Sequence, residues 1–377
     1  MRAGLLVADQ VRAASGSKRR LRVVGAGTWL GAGRPVSSDD TLSLADDRGI
    51  VEYVPGDLTL TARAGTRLAE IEAATAAEGQ WLPLDPWGGD AGTLGATLST
   101  ATAGPHSHAM GLPRDIVLGM EFVSGVGQVI RAGGRVVKNV AGFDLTRMMI
   151  GSWGTLGVIT EATVRLRARP EHVRTIAIGM EAASVALNQL ATRLRALPFT
   201  PLASELLSSR LAARLGVGDG AVLLVRVAGN DKSVNAQLDA LRAWGNPTSV
   251  EETIWTTLRT VEPANASTWR WSQLPTSFGE TWSAADRATR VLDEAFMHGN
   301  PARGVVRVIA ARASKVNAAE LSRVVRSFNG TVVIESLPTA AWALVDSGVA
   351  DDPVSRSIRQ TFNPAAVLNA GILGGDG

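Results

Sequence analysis

Over its first part, to about Pro170, the chain sets short apolar runs rich in β-branched residues between Gly-rich turns. Leu21 to Val24 reads as a strand entering the turn Gly25-Ala26-Gly27, and Val51 to Val54 and Leu58 to Ala64 read as further strands. Between Arg67 and Glu78 the period lengthens. Leu68, Ile71 and Ala74 recur at helical spacing there, and Gly79 stands where a C-terminal cap belongs. Val117 to Val123 and Gln128 to Arg131, joined through Gly125 and Gly127, predict a hairpin, and Val158 to Arg167 predicts a strand before Pro170.

From about Glu171 the texture changes. Strands are predicted near Thr175 to Met180, Ala221 to Val227, Val305 to Ala310 and Thr331 to Ile334. Amphipathic helices lie between them, near Ala183 to Ala196, Ser233 to Trp244, Ala284 to Met297 and Ala318 to Ser327. This order predicts an α+β layer of split β-α-β type, with helices on one face of an antiparallel sheet. The expected division is a domain over 1–170 and a second from 171. No internal repeat or low-complexity segment interrupts it.

Composition narrows the classes. With 377 residues, 45% hydrophobic and 19% charged, the chain is long enough for about two to three folded domains and far from disordered composition. Lys plus Arg, 38, nearly balances Asp plus Glu, 35, so the net charge of +3 gives no nucleic-acid footprint. The densest basic group, Lys18, Arg19, Arg20 and Arg22, lacks interleaved aromatics and reads as a solvated turn. Without Cys there is no disulfide, iron–sulfur cluster or thiolate zinc site, and electron chemistry has to use a bound organic cofactor. The apolar patch Gly4 to Ala8 is cut by Asp9 and is no secretory signal. Ala91 to Pro113 carries no charge, but its Gly, Thr, Ser, Pro and His content is wrong for a lipid-facing helix, so no segment is expected to span a membrane.

Three segments are candidates for chemistry. In G-A-G-T-W-L-G-A-G, Gly25 to Gly33, a dinucleotide fingerprint fails because Leu30 stands where a small residue must pack and no helix follows. The stretch Pro86 to Pro105 is crowded with Gly, Ala, Ser and Thr. It reads either as surface turns or as a second loop that, facing the first, clamps a pyrophosphate with backbone N–H groups and no lysine. Lys138 to Thr160 places Lys138, Asn139 and Asp144 beside a run of glycines; it is a solvated turn, or a buried one whose polar groups pair with each other or a ligand. His106 and His108 read as an alternating pair on an exposed turn or as ligand contacts. Trp269, Trp271 and Trp282 read as a partner interface or as the core of a loop.

Together the three segments resemble the FAD-binding domain of the vanillyl-alcohol oxidase and p-cresol methylhydroxylase (PCMH-type) superfamily. K-N-V-A-G-F-D to G-T-L-G-V-I-T is similar to its glycolate oxidase and D-lactate dehydrogenase branch, most closely to the smaller FAD-binding subunits of bacterial glycolate oxidases. The resemblance covers about Arg22 to Pro170. It implies a two-subdomain PCMH-type domain over 1–170, a reduced ferredoxin-like cap over 171–355, and a tail over 356–377 returning to the FAD domain. It places Gly25, Ala26, Gly27 and Thr28 at the first phosphate loop, and Thr93, Leu94, Gly95, Ala96 and Ser99 at the second. Pro86, Ala103, Gly104, Gly111 and Asp115 continue the cofactor wall, and Gly157, Val158 and Ile159 lie against the nucleotide. Phe362 to Gly371 is similar to the family's F-D-P-x-x-x-x-N-P-G tail, with Asn363 and Ala370 as departures.

Function follows from the resemblance in the same conditional sense. It implies noncovalent FAD, since no Cys is present and Trp29 and Leu30 stand where a linking His would be expected. It also implies oxidation of a 2-hydroxy acid such as glycolate, with a larger paralogous flavin subunit and an iron–sulfur subunit as partners, in the cytoplasm or peripheral at the inner membrane through those partners. The histidine-rich metal motif of the large subunits, close to H-x-x-D-G-N-x-H, is reduced here to His298-Gly299-Asn300, so no metal is expected. Arg270, Arg303 and Arg307 are candidates for gripping a carboxylate, and no catalytic base is identified. The alternatives are a self-sufficient FAD-dependent 2-hydroxy acid or polyol dehydrogenase, and a scaffold that has lost its flavin.

Overall fold

The computed structural model describes residues 3–134, 144–292, 294–311, 318–344 and 352–374. The polar turn Lys138-Asn139 lies outside them. The chain divides into two compact units: Met1–Gly104, Gly111–Arg169 and Val345–Gly377 form the first, and Pro105–Met110 with Pro170–Leu344 the second.

In the first unit the strands are β1 (Leu21–Val24), β2 (Asp40–Ser43), β3 (Ile50–Val54), β4 (Thr59–Arg63), β5 (Gln80–Trp81), β6 (Val117–Ser124), β7 (Val129–Gly133), β8 (Gly157–Arg165) and β9 (Arg167–Ala168). Five form an antiparallel sheet in the order β3-β4-β8-β6-β7, while β1 and β2 make a parallel pair and β5 and β9 an antiparallel one. Every strand predicted in this half lies within two residues of an observed strand, and the predicted helix is Leu68–Ala76. A helix at Ala3–Ser17 is an addition to the sequence reading. Val7, Ala8, Val11 and Ala14 recur at three- and four-residue spacing and are buried in the core with Met120, Phe122 and Val158.

The cofactor loop candidate Pro86 to Pro105 contains a short helix, Leu94–Thr100. Leu94 and Leu98 are fully buried, about 1.5–3 kcal/mol each relative to exposure, which anchors the helix to the core. Ala101, at φ +52, ends it. The tail is tied to the same unit by main-chain bonds: Leu21 N–H donates to Val367 O (2.7 Å), Asn369 N–H to Leu21 O (2.9 Å) and Gly125 N–H to Phe362 O (2.8 Å). Asn363, the departure from the family pattern, is buried and donates from Nδ2 to Thr155 O (3.0 Å) while Oδ1 accepts from Val367 N–H (3.0 Å).

The second unit holds β10 (His172–Met180), β11 (Ala203–Leu207), β12 (Ala221–Gly229), β13 (Thr248–Val250), β14 (Ser267–Ser272), β15 (Ala295–Asn300), β16 (Val305–Ala310) and β17 (Thr331–Ser336). They form one sheet, β13-β10-β12-β11-β15-β16-β14-β17, antiparallel at every pairing. The helix predicted over Ala284 to Met297 is corrected: the helix is Phe278–Thr289, and Ala295–Asn300 is a central strand whose apolar run resembles a helix segment in period. Trp269, Trp271 and Trp282 are at most 3% exposed, so the tryptophan group belongs to this unit's core and offers no partner surface.

Candidate cofactor-binding site

The site begins where β1 ends. Its four residues are held in register with β2, from Leu21 opposite Asp40 to Val24 opposite Ser43, and the chain then turns through Gly25 to Thr28. Gly27 makes the turn at φ +73, a conformation that costs an L side chain strain. Across the turn stands Thr93. A Cβ on Gly25 would collide with Thr93 Oγ1, so a glycine is needed for the two loops to approach. These residues open on a cleft of about 850 Å³, including its mouth, lined also by Arg22, Trp29, Leu30, Ala96, Ser99, Trp153, Gly157, Val158, Ile159, Asn369 and Ile372.

Thr93 decides what the cleft is suited to hold. It is in the N-cap position of the helix Leu94–Thr100, with extended backbone, yet its side chain makes no capping bond. Its Oγ1 is buried without a hydrogen-bond partner, and a buried hydroxyl left so costs about 1–3 kcal/mol. An acceptor atom of a ligand lying in the turn would satisfy it. Arg22 is the one charged residue among the described lining residues, and its Nη2 donates to Leu30 O at 2.5 Å. A cation at the mouth, an orphaned hydroxyl, two glycine-bearing loops and no lining carboxylate suit a diphosphate.

The sequence-derived residues divide in two. Gly25, Ala26, Gly27, Thr28, Thr93, Gly95, Ala96, Ser99, Gly157, Val158 and Ile159 line the cleft. Leu94, Pro86, Ala103, Gly104, Gly111 and Asp115 do not. Leu94 N–H and Gly95 N–H donate to Thr66 O (2.9 Å) and Ala64 O (2.8 Å), so these two amides join the helix to the core and do not face an anion. Gly104 abuts the Asp85 backbone, and Asp115 accepts from Leu112 N–H (2.9 Å) as the cap of a short helix. Asp144 likewise is a cap, accepting from Arg147 N–H at 3.0 Å. Arg22, Trp153, Asn369 and Ile372 line the cleft as well, beyond the residues that the resemblance places there. Trp29 and Trp153 stack with ring centroids 5.8 Å apart, a contact across more than a hundred residues of sequence.

A model of the FAD binding domain matches residues 6–133, which carry both loops of this cleft. Residues 6–133 are an FAD binding domain. Glycolate oxidase subunit GlcE of Escherichia coli is 44% identical over 163 residues, 43% of this chain and 46% of that protein. Subunit GlcD of Bacillus subtilis is 36% identical over 163 residues, 42% of this chain and 35% of that one. The chain therefore matches less than half the length of these curated relatives. A solved structure of alkyldihydroxyacetonephosphate synthase superimposes with a TM-score of 0.68 at 16% identity, over 96% of this chain and 73% of the other, and shares the fold.

Beyond the FAD binding domain, the second unit carries a charged face. His298 on β15, Arg307 on β16 and Arg270 on β14 are direct cross-strand neighbours and so share one side of the sheet. Arg307, 3% exposed, binds Glu335 Oε2 at 2.7 Å and Glu262 Oε2 at 3.2 Å. Burial alone would push its pKa down; the two carboxylates more than offset this and hold it above the ordinary value. As a free carboxylate grip Arg307 is thus corrected, and Arg303 is engaged with Ser107 Oγ. Glu205 Oε2 lies 3.1 Å from His298 Nδ1, both groups buried.

The histidines of Pro105–Met110 are placed by this unit and do not stand on an exposed turn. His106 is buried, and because a guanidinium only donates, Arg226 Nη1 at 2.8 Å fixes His106 Nε2 as the acceptor. Arg226 also donates to Glu252 (2.7 Å), which accepts from Thr175 Oγ1 (2.6 Å). His108 has its pKa lowered by burial first and then by Arg303 and Arg195. Unfolding lets it take up a proton near its ordinary value, so its contribution favours unfolding increasingly as pH falls through about 6.5 and levels off below the lowered folded pKa. The melting temperature of His108→Gln is therefore expected to fall less than the parent's between about pH 7.5 and about pH 5.5; parallel curves would remove this assignment.

Proposed function

We propose that the chain is the FAD-binding subunit of a glycolate oxidase-like complex, oxidising a 2-hydroxy acid such as glycolate to the 2-oxo acid. The carrying observation is the 44% identity to GlcE, and the FAD binding domain that spans both cleft loops supports it. In this reading Gly25 to Thr28, Thr93, Ala96, Ser99 and Gly157 to Ile159 hold FAD noncovalently, with Arg22 facing its phosphates. Bound FAD supplies the two-electron acceptor. The chain's own residues exclude water from the cleft, orient the group and balance its charge. Electrons then pass to an iron–sulfur subunit, and a larger paralogous flavin subunit completes the assembly in the cytoplasm or, through these partners, at the inner membrane. No described helix is long and apolar enough to cross a membrane.

A second reading, a self-sufficient FAD-dependent 2-hydroxy acid or polyol dehydrogenase, is favoured by one observation. A carboxylate against imidazole Nδ1, as Glu205 stands against His298, is an arrangement that orients a general base. Coexpression with and without the two partner subunits, followed by dye reduction with glycolate, separates the readings. Activity that needs the partners supports the complex, and equal activity without them supports the second.

A further inference from the structure

Two walls of the cofactor cleft meet at one side chain of the C-terminal segment. Asn369 is 5% exposed, lines the cleft, and sits in the left-handed region at φ +45, which asparagine tolerates better than most residues. Its Oδ1 accepts from Val23 N–H at 2.8 Å, two residues before the Gly25 to Thr28 turn. Its Nδ2 donates at 2.8 Å to the C=O of Trp153, which also belongs to the cleft lining. Trp153 is itself left-handed, at φ +54, a conformation that a bulky residue keeps only when its surroundings over-determine it. Its N–H is bonded to Ser99 O at 2.9 Å, its ring is stacked on Trp29, and Asn369 fixes its carbonyl.

We propose that Asn369 is a positioning residue for the cofactor: its amide straps the end of β1 to Trp153 and so holds the phosphate turn and the tryptophan wall at the spacing FAD requires. The inference rests on the FAD reading of the cleft. An amide suits the task because it accepts and donates at once. Aspartate keeps the bond from Val23 and loses the bond to Trp153. Glycine keeps the backbone conformation and loses both, which separates the amide from the strain at φ +45.

The test uses the full chain freed of flavin, titrated with FAD while tryptophan fluorescence is followed, together with near-UV circular dichroism before FAD is added. Asn369→Gly is expected to weaken FAD binding at least about tenfold and to reduce the near-UV signal of the Trp29–Trp153 stack, with far-UV signal unchanged. Asn369→Asp is expected to fall between Asn369→Gly and the parent, and it carries the test alone if the glycine variant does not fold. A residue that only stabilises the tail would lower the melting temperature and leave both readouts as in the parent. Binding within about twofold of the parent with an unchanged near-UV spectrum in the folded variants overturns the proposal. If the parent itself takes up no FAD, the cofactor reading fails, and the near-UV spectra of the variants still decide whether Asn369 sets the tryptophan wall.

Discussion

Gly27→Val is expected to leave a folded chain that binds FAD about 100-fold more weakly than the parent. The effect comes from the backbone. At φ +73 a β-branched side chain is a genuine outlier, so the turn that lines the cleft relaxes and the proposed contact with the phosphates is lost. Folding is spared because a Cβ there meets nothing closer than Leu30 Cδ1 at 3.6 Å. Gly95→Val is the contrasting case. Its Cβ would lie 2.6 Å from Ala64 Cβ and 3.1 Å from Ala64 O, so the lesion is in the core, costs about 3 kcal/mol or more, and appears first as lost stability. Gly220→Ala, where a Cβ has no neighbour within 4 Å, is the control and should match the parent in both respects. Flavin content and thermal melts of the three variants check this; a Gly27→Val protein that retains full FAD would detach the turn from the phosphates.

The isolated chain is expected to oxidise glycolate or D-lactate about 100-fold or more slowly than the assembly with its partner subunits. Oxidising a 2-hydroxy acid needs a cation to hold the carboxylate and a base to take the hydroxyl proton. The candidate cations of the second unit are already engaged: Arg307 is buried between Glu335 and Glu262, Arg303 meets Ser107 Oγ, and Arg270 Nε lies 3.8 Å from Glu335 Oε1. Steady-state dye reduction, with and without partners, measures the difference. Should the isolated chain turn over at the rate of the assembly, Glu205→Gln and His298→Gln become the next variants to assay, since that pair is the arrangement favouring self-sufficiency.

The sheet strands were legible as short apolar, β-branched runs bounded by turns; β4, β6 and β16 are buried along almost their whole length and so read as near-continuous runs, while the second half of β8 alternates. The helix Ala3–Ser17 was harder to read, because its buried face is made largely of alanine and valine and Asp9 interrupts the apolar patch. Loop chemistry was legible where it is local. The glycines of Gly25 to Gly27 and the small residues after Thr93 are adjacent in sequence and adjacent in the cleft. Contacts that close over hundreds of residues leave no such trace. Asn369 reaches Val23, and Trp153 stacks on Trp29, through a fold that spacing alone does not encode. The signals that existed were a tryptophan set between glycines in G-S-W-G and an asparagine in the tail, both of which single out positions without naming their partners. Of the two readings of His106, the exposed turn fails, and its hydrogen-bond partner Arg226, far along the chain, leaves no local signal.

The most direct test of the account is the flavin stoichiometry of the purified full chain after saturation with FAD and removal of the excess. About one FAD per chain is expected, with all of it released to solution on heat or acid denaturation, because no Cys is present and Trp29 and Leu30 follow the phosphate turn where a linking histidine would stand. A chain that is folded by circular dichroism yet retains no FAD, or flavin that stays with the denatured polypeptide, would contradict it.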